Sequence, residues 1–346
     1  MEYIALDVHK HYSWARVEND KGQKLYECKL AHARGNIANF TKQWNPGTPV
    51  AVETVGNWYW VVDEIEAGKG SPQLVNARLA KLMIGSVNKS DKLDAKGMNR
   101  LQRAGTLPTV WIPPSSVRDA RELPRTRMVL SDQRTQLKNR IHATISKYGL
   151  KIEGVSDAFG KRGRQIIEGL LQELPPHTGE ALKLMLDELD HVQGNLDVIE
   201  TKMQEVFAPC AETTYLKSEP GVGDMLAVVI FTEIGTIERF GRAEQLASYA
   251  GLVPREHSSG GKVRYGRVRK DVNLYLKWAF VEAANSAVLN RERCEYRHIS
   301  RLYETVKARR GHGKAIVAVA RHLAEAAFWM LKKGESYREP MSSTQG

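Results

Sequence analysis

Cysteine is scarce in this chain: Cys28, Cys210 and Cys294 stand far apart and form no C-x-x-C pair. That argues against a disulfide framework and a cysteine zinc site, and fits a reducing compartment. Long apolar runs are missing too. A stretch such as Leu226 to Phe231 is far shorter than the roughly 20 residues a membrane-spanning helix needs. The opening Met1-Glu2-Tyr3-Ile4-Ala5-Leu6-Asp7 has no basic segment ahead of an apolar core, so export is not expected. Acid is in deficit, with 40 Asp and Glu against 51 Lys and Arg, a formal net charge of +11. There is no internal repeat and no extended low-complexity tract. What is present is an ordinary globular composition, 42% hydrophobic and 26% charged, in 346 residues, enough for two or three domains. The basic surplus suits a polyanionic partner, because cations that neutralise phosphates release counterions, but a merely basic enzyme would look the same. Local clustering has to decide.

The first hundred residues alternate strand and helix signals. Tyr3–Val8, Ser13–Asn19 and Gln23–Leu30 predict three strands, the last two joined at Asp20-Lys21-Gly22, a hairpin-turn triplet. A helix over Asn36–Trp44, a buried strand at Pro49–Thr54, a helix over Tyr59–Ala67, a short strand at Gln73–Asn76 and helices at Ala77–Ile84 and about 92–104 follow. That pattern predicts a mixed α/β sheet, closed off by Pro108, Pro113 and Pro114. The next hundred residues are expected to be helical. Nine Lys and Arg lie between Arg118 and Lys151 against three acids, and this cluster, Arg125 and Arg134 included, is expected to track a phosphate backbone unless it is a solvated face. Leu182, Leu186, Leu189, Val192, Leu196, Ile199, Met203 and Val206 then recur at steps of three and four, a heptad seam for a dimeric coiled coil or an internal helical hairpin. The last third opens at Pro220-Gly221-Val222-Gly223, passes a Gly- and Arg-rich loop at 255–270, and ends in helices near 273–289 and 314–332 with a frayed tail after Glu335.

Four acids stand out by position. Asp7 lies inside the apolar strand Ile4-Ala5-Leu6-Asp7-Val8, where a charge is costly unless something neutralises it. Glu53 ends the strand Val50-Ala51-Val52-Glu53-Thr54. Asp91 and Asp94, three residues apart at a helix start, share one face. Such a set can hold two divalent ions against a scissile phosphate. Taken singly, Asp91 would more ordinarily cap its helix and Asp94 be an exposed first-turn acid. Asp63, Glu64 and Glu66 follow a solvated helical pattern. The histidines show no metal-ligand spacing, and His9 and His11 read as incidental. Trp58 and Trp60 suit core packing better than base stacking.

A second cluster is basic. Between Arg255 and Lys270 stand Arg255, Lys262, Arg264, Arg267, Arg269 and Lys270 against the single acid Glu256. Small residues let backbone approach a phosphate and the cations neutralise it. Ser259 in this loop is open to three roles: nucleophile, phosphate hydrogen-bonder or simple turn residue. Gly221 and Gly223, ahead of an apolar helix, suit a helix-hairpin-helix turn holding a phosphate on backbone N–H groups, or a plain glycine turn.

In combination these segments resemble the DEDD transposases of bacterial insertion sequences, relatives of the pilin-gene inverting recombinases. The likeness rests on Ile4-Ala5-Leu6-Asp7-Val8-His9-Lys10, Glu53-Thr54-Val55-Gly56, Lys89-Ser90-Asp91-Lys92-Leu93-Asp94-Ala95, Pro220-Gly221-Val222-Gly223, Phe240 through Ala250, and Gly251-Leu252-Val253-Pro254 through Ser259-Gly260. It implies a RuvC-like, ribonuclease-H-type α/β domain over 1–110, a central helical coiled-coil region over 111–212, a mainly α C-terminal transposase domain over 213–335 and a flexible tail over 336–346. It further implies that Asp7, Glu53, Asp91 and Asp94 bind Mg²⁺, two ions with Mn²⁺ as an alternative, and that Ser259 is a nucleophile forming a transient phosphoserine link. Donor and target DNA, an element-encoded guide RNA and a homodimer or homotetramer are the implied partners, in the bacterial cytoplasm and without a membrane. The alternatives are a junction-resolvase-like nuclease using only the tetrad, and a nucleic-acid-binding protein without activity. One departure matters: the family's Lys-x-Gly-Asn run reads Lys270-Asp271-Val272-Asn273 here, and because a glycine would allow a tight backbone turn, its loss bears on the local loop geometry more than on the chemistry.

Overall fold

Period-two patterning decides the N-terminal sheet. A computed structural model describes residues 1–85, 90–207, 210–259, 262–268, 272–292 and 297–340, and the chain divides into two compact units, Met1–Pro113 and Pro114–Gly346. The first unit holds a five-stranded sheet of β1 (Glu2–Val8), β2 (Tyr12–Asn19), β3 (Lys24–Ala31), β4 (Pro49–Glu53) and β5 (Ser71–Val75), ordered β3-β2-β1-β4-β5. The first three strands are an antiparallel meander, while β4 runs parallel to β1 and β5 parallel to β4. Around these lie α1 (Asn36–Thr41), α2 (Trp58–Ala67), α3 (Ala77–Ile84) and α4 (Asp91–Arg103).

Because strand neighbours point to opposite faces, the two sides of the sheet carry different residues. Ile4, Leu6, Val50 and Val52 pack with Ile37, Phe40, Val61 and Ile65 from α1 and α2, with Trp58 and Trp60 half-buried at the edge. Ala5, Ala51 and Val75 pack with Ala80, Ala95, Met98 and Leu101 from α3 and α4. Small residues on that second face let α4 lie close to the central strands. Glu64, expected to be solvated, instead accepts hydrogen bonds from the Gly35 and Ala38 amides at the start of α1, where a helix leaves its N–H groups unpaired.

The second unit is mainly helical: α5 (Ser115–Lys147), α6 (Lys161–Leu170), α7 (Pro176–Val206), α8 (Ala211–Lys217), α9 (Asp224–Ile234), α10 (Ala243–Tyr249), α11 (Leu274–Leu289), α12 (Arg297–Arg310) and α13 (His312–Lys333). The predicted heptad seam lies on α7, and its partner is within the chain. Leu182, Leu186 and Leu189 pack against Ile141 and Ile145 of α5, with Ile167 of α6 closing the far end. Arg127 pairs with Glu200 at 2.7 Å and Arg134 Nη1 donates to Gln193 Oε1 at 2.9 Å, so the two helices run antiparallel. The C-terminal core gathers Ile230, Leu246, Phe280, Ala284, Leu323 and Phe328.

Two expectations for this unit are corrected. The stretch at 255–270 is not a featureless loop: Pro254–Ser259 (β6) pairs antiparallel with Lys262–Val268 (β7), with Ser259 opposite Lys262. Its strands are too polar for apolar alternation to announce them, although Gly260-Gly261 is a hairpin-turn dipeptide. The residues just after Glu335 are tied down, since the Tyr337 amide donates to Ser218 Oγ at 2.8 Å. Val272 takes no left-handed backbone conformation: among described residues the only non-glycine with positive φ is Lys69. The valine's branched end fits because Gly251, at φ +68°, has no Cβ; one built there would lie 2.5 Å from Val272 Cγ2. Gly251→Ala is therefore expected to cost about 2 kcal/mol or more, from left-handed strain plus overpacking. Urea unfolding measures it, and adding Val272→Ala should recover part. Wild-type stability in the single variant would mean the contact carries no weight.

Candidate metal centre and nucleic-acid surface

Sheet register brings the first two acids together. β1 and β4 are parallel, with Leu6 beside Val52, so Asp7 and Glu53 are the next positions along on neighbouring strands. Both fall on the face shared by Ala5 and Ala51, the one that α4 covers. The helix then delivers the second pair. Ser90 is the N-cap, its side chain accepting from the Leu93 amide, so Asp91 is not spent on capping. Asp91 and Asp94 both stand in the first turn of α4.

The close group is Asp7, His9 and Asp91, whose ligand atoms all lie within 4.8 Å of one another. His9 Nε2 is 3.4 Å from Asp7 Oδ2 and 3.1 Å from Asp91 Oδ2. Tyr12 Oη donates to Asp91 Oδ2 at 3.0 Å. Asp94 is near enough for its charge to bear on Asp7. Glu53, half-buried, joins by register and stands outside the close group of three. Asp7 is only 7% exposed, and burial pushes its carboxyl up to about 6, with Asp91 and Asp94 adding to the rise and His9 opposing it. Three carboxylates and an imidazole crowded together, one of them buried, make a donor set that a divalent cation relieves. The residues fit such an ion.

His9, read as incidental from the sequence, is thus the residue that sequence reasoning missed. Position two after Asp7 carried no signal by itself. The chain reverses immediately after β1, with the His9 amide donating to the Tyr12 carbonyl at 2.9 Å, and that turn folds both side chains back beside the carboxylates.

The basic candidates divide. Arg125 does not line a free face: Nε and Nη2 donate to the two carboxylate oxygens of Glu233 at 2.7 and 2.9 Å, and its guanidinium stacks 4.5 Å from the Tyr275 ring. Arg121 donates to the carbonyls of Thr232 and Glu233, and Asn273 Nδ2 donates to Glu233 Oε2 at 2.7 Å. Asn273 also caps α11 through its Oδ1. Arg134 is engaged across the helix pair with Gln193. The expectation that Arg125 follows a phosphate backbone is corrected accordingly, its guanidinium being held by the buried Glu233 inside the second unit, whereas Arg134 commits one N–H, at Nη1, to Gln193. Glu233, fully buried, was invisible in the sequence because its partners come from α5 and from the residue before α11. Glu233→Gln is expected to cost about 3 kcal/mol by leaving buried guanidinium charge unpaired, read as a lower denaturant midpoint at unchanged slope. A change within about 0.5 kcal/mol, the ordinary range for a surface substitution, would show the network to be dispensable.

Gly221 is also re-explained. At φ +80° it packs against α11 so closely that a Cβ would lie 2.1 Å from the Ala283 carbonyl oxygen, so helix packing accounts for the glycine. Gly223 is exposed at the N-cap of α9. Just before the turn, Glu219 is buried with both carboxylate oxygens lacking partners among the described residues, and burial pushes it well above the usual carboxylate range. Arg255 is exposed at the start of β6. Ser259, Lys262, Arg264 and Arg267 lie on the hairpin by backbone position, and their side chains lie outside the description. Arg269, Lys270, Lys89 and Gly260 are outside the described residues.

Comparison with known proteins covers both units. A transposase model of the DEDD type named for IS110 matches residues 4–149, and the Transposase IS116/IS110/IS902 family matches residues 213–299. The chain is 28% identical over 272 residues to the transposase for insertion sequence element IS1111A of Coxiella burnetii, covering 78% of this chain and 74% of that protein. It is 23% identical over 339 residues to the transposase for insertion sequence element IS1328 of Yersinia enterocolitica, covering 96% of this chain and 97% of the other.

Proposed function

The chain belongs to the DEDD transposases of the IS110 type, and from that membership we propose that it is an RNA-guided, site-specific DNA recombinase of an insertion sequence. The observation that carries the reading is the approach of Asp7, His9 and Asp91 ligand atoms to within 4.8 Å of one another, where the central strand of the sheet ends beside the first turn of α4. Asp7, Glu53, Asp91 and Asp94 hold divalent cations, Mg²⁺ first and Mn²⁺ as the alternative. A divalent cation held by these carboxylates would supply Lewis-acid stabilisation of the charge that develops as the phosphodiester is cleaved.

Ser259 supplies the hydroxyl that attacks phosphorus, joining the serine to one DNA end while the other end leaves with its oxygen. Arg255, Lys262, Arg264, Arg267, Arg269 and Lys270 neutralise the phosphates alongside. The Ser259 of one subunit serves the carboxylates of another in a dimer or tetramer. Pairing with an element-encoded RNA selects donor and target, which leaves the protein to read backbone and shape. The protein works in the cytoplasm, on the nucleoid.

The test combines purified protein, the structured transcript of the flanking non-coding DNA, and donor and target duplexes with Mg²⁺. Joined recombinant DNA that requires both RNA and metal is expected. Cleavage of branched DNA without RNA and without joined product would replace this reading with a junction nuclease.

A further inference from the structure

We propose that His9 binds the cation directly through Nε2, making the centre a mixed nitrogen–oxygen site instead of an all-carboxylate one. This rests on the proposed reading of the Asp7 cluster as a cation site and goes beyond it by adding a ligand of a different chemical class.

Geometry comes first. Two donors in adjacent positions of an octahedral ion, each about 2.1 Å away, lie about 3.0 Å apart. His9 Nε2 stands 3.1 Å from Asp91 Oδ2 and 3.4 Å from Asp7 Oδ2, close to that spacing on both sides. An ion pair of protonated imidazole with the carboxylates is the competing explanation, and nitrogen coupling to the bound ion separates the two. The Nε2 atom is buried, lies within ion-pair distance of both carboxylates and has no well-formed hydrogen bond to either.

The imidazole is also held in place. The His9 ring stacks on Tyr12 with centroids 4.6 Å apart, and the His9 amide is fixed by the Tyr12 carbonyl. Asn57 Nδ2 reaches the His9 carbonyl at 3.4 Å. A ligand needs such support, because a ring free to rotate gives up affinity on binding. The chemical consequence is selectivity. Imidazole favours first-row transition ions, whereas Mg²⁺ prefers oxygen, so His9 should tilt the site towards Mn²⁺.

Electron paramagnetic resonance of the full-length protein titrated with Mn²⁺ provides the test. Pulsed spectra of the bound ion should show a ¹⁴N coupling that changes to ¹⁵N when histidine alone is labelled. His9→Ala should remove the coupling and weaken Mn²⁺ binding by about tenfold or more, with a smaller loss for Mg²⁺. His9→Gln, which keeps much of the volume, repeats the measurement should the alanine variant fold badly, and the wild-type spectrum needs no variant at all. Bound Mn²⁺ that depends on Asp7 but has no ¹⁴N coupling would overturn the role of His9 and leave the cation site standing. Coupling that persists in both His9 variants would do the same. Failure of wild-type protein to bind Mn²⁺ would overturn both.

Discussion

Asp7→Asn is expected to abolish metal-dependent DNA cleavage while making the cation-free protein more stable. The two effects have opposite signs because they come from one charge. Without a cation the buried carboxylate is disfavoured by burial and by Asp91 and Asp94, which is why it is pushed up to about 6. A group with a raised native value binds more protons folded than unfolded between its two values, so stability rises as pH falls from about 6 towards the ordinary carboxylate range. Asparagine removes that penalty, on the order of 2 kcal/mol, and flattens the pH dependence. It also removes the ligand that β1 contributes, and activity should fall on the order of 10³-fold, as expected when several kcal/mol of transition-state stabilisation are lost. Thermal melts in chelator, with and without added Mg²⁺, separate the two. Wild-type turnover in the variant would make the cluster structural, and unchanged turnover with a lower melting temperature would refute both halves.

Ser259→Ala is expected to eliminate recombination and any covalent protein–DNA adduct, with DNA and RNA affinity kept within about twofold. The substitution removes one oxygen from the end of β6 and none of the six basic residues on and just after the hairpin. Phosphate neutralisation, which dominates affinity and its salt dependence, is left in place. Ser258→Ala is the control, because adjacent positions of a strand belong to opposite faces of the hairpin. Wild-type protein and the Ser258→Ala variant should both yield a denaturation-resistant adduct, and the Ser259→Ala variant should yield none. Full recombination by Ser259→Ala would exclude the serine mechanism and favour hydrolysis at the carboxylates.

Much of the sheet and two of its acids could be read in advance because burial leaves a local imprint. From Tyr3 on, β1 is an unbroken apolar run around one misplaced charge, and that charge is Asp7. Asp91 and Asp94 were legible from helical spacing. His9 and Tyr12 were not, since their place beside the acids depends on a tight turn, not on any periodicity. The same limit hid Glu233: its partners Arg121 and Arg125 are 112 and 108 residues away in sequence. Arginine clusters look alike whether they face solvent or a buried carboxylate, so charge counting alone misplaced Arg125. The hairpin at 254–268 escaped for the reverse reason, being a strand pair with almost no apolar signal.

The antiparallel pairing of α5 with α7 also constrains how this protein can change over time. Its two strands of helix are in register through Arg127 with Glu200 and Arg134 with Gln193, and their apolar contacts recur every three or four residues. A heptad gained in one helix alone, about two turns, would be left unmatched with its leucines in water. Inheritable variation in arm length should therefore come in matched insertions, one on each side of the α6 tip, and relatives with longer arms should carry such twin insertions.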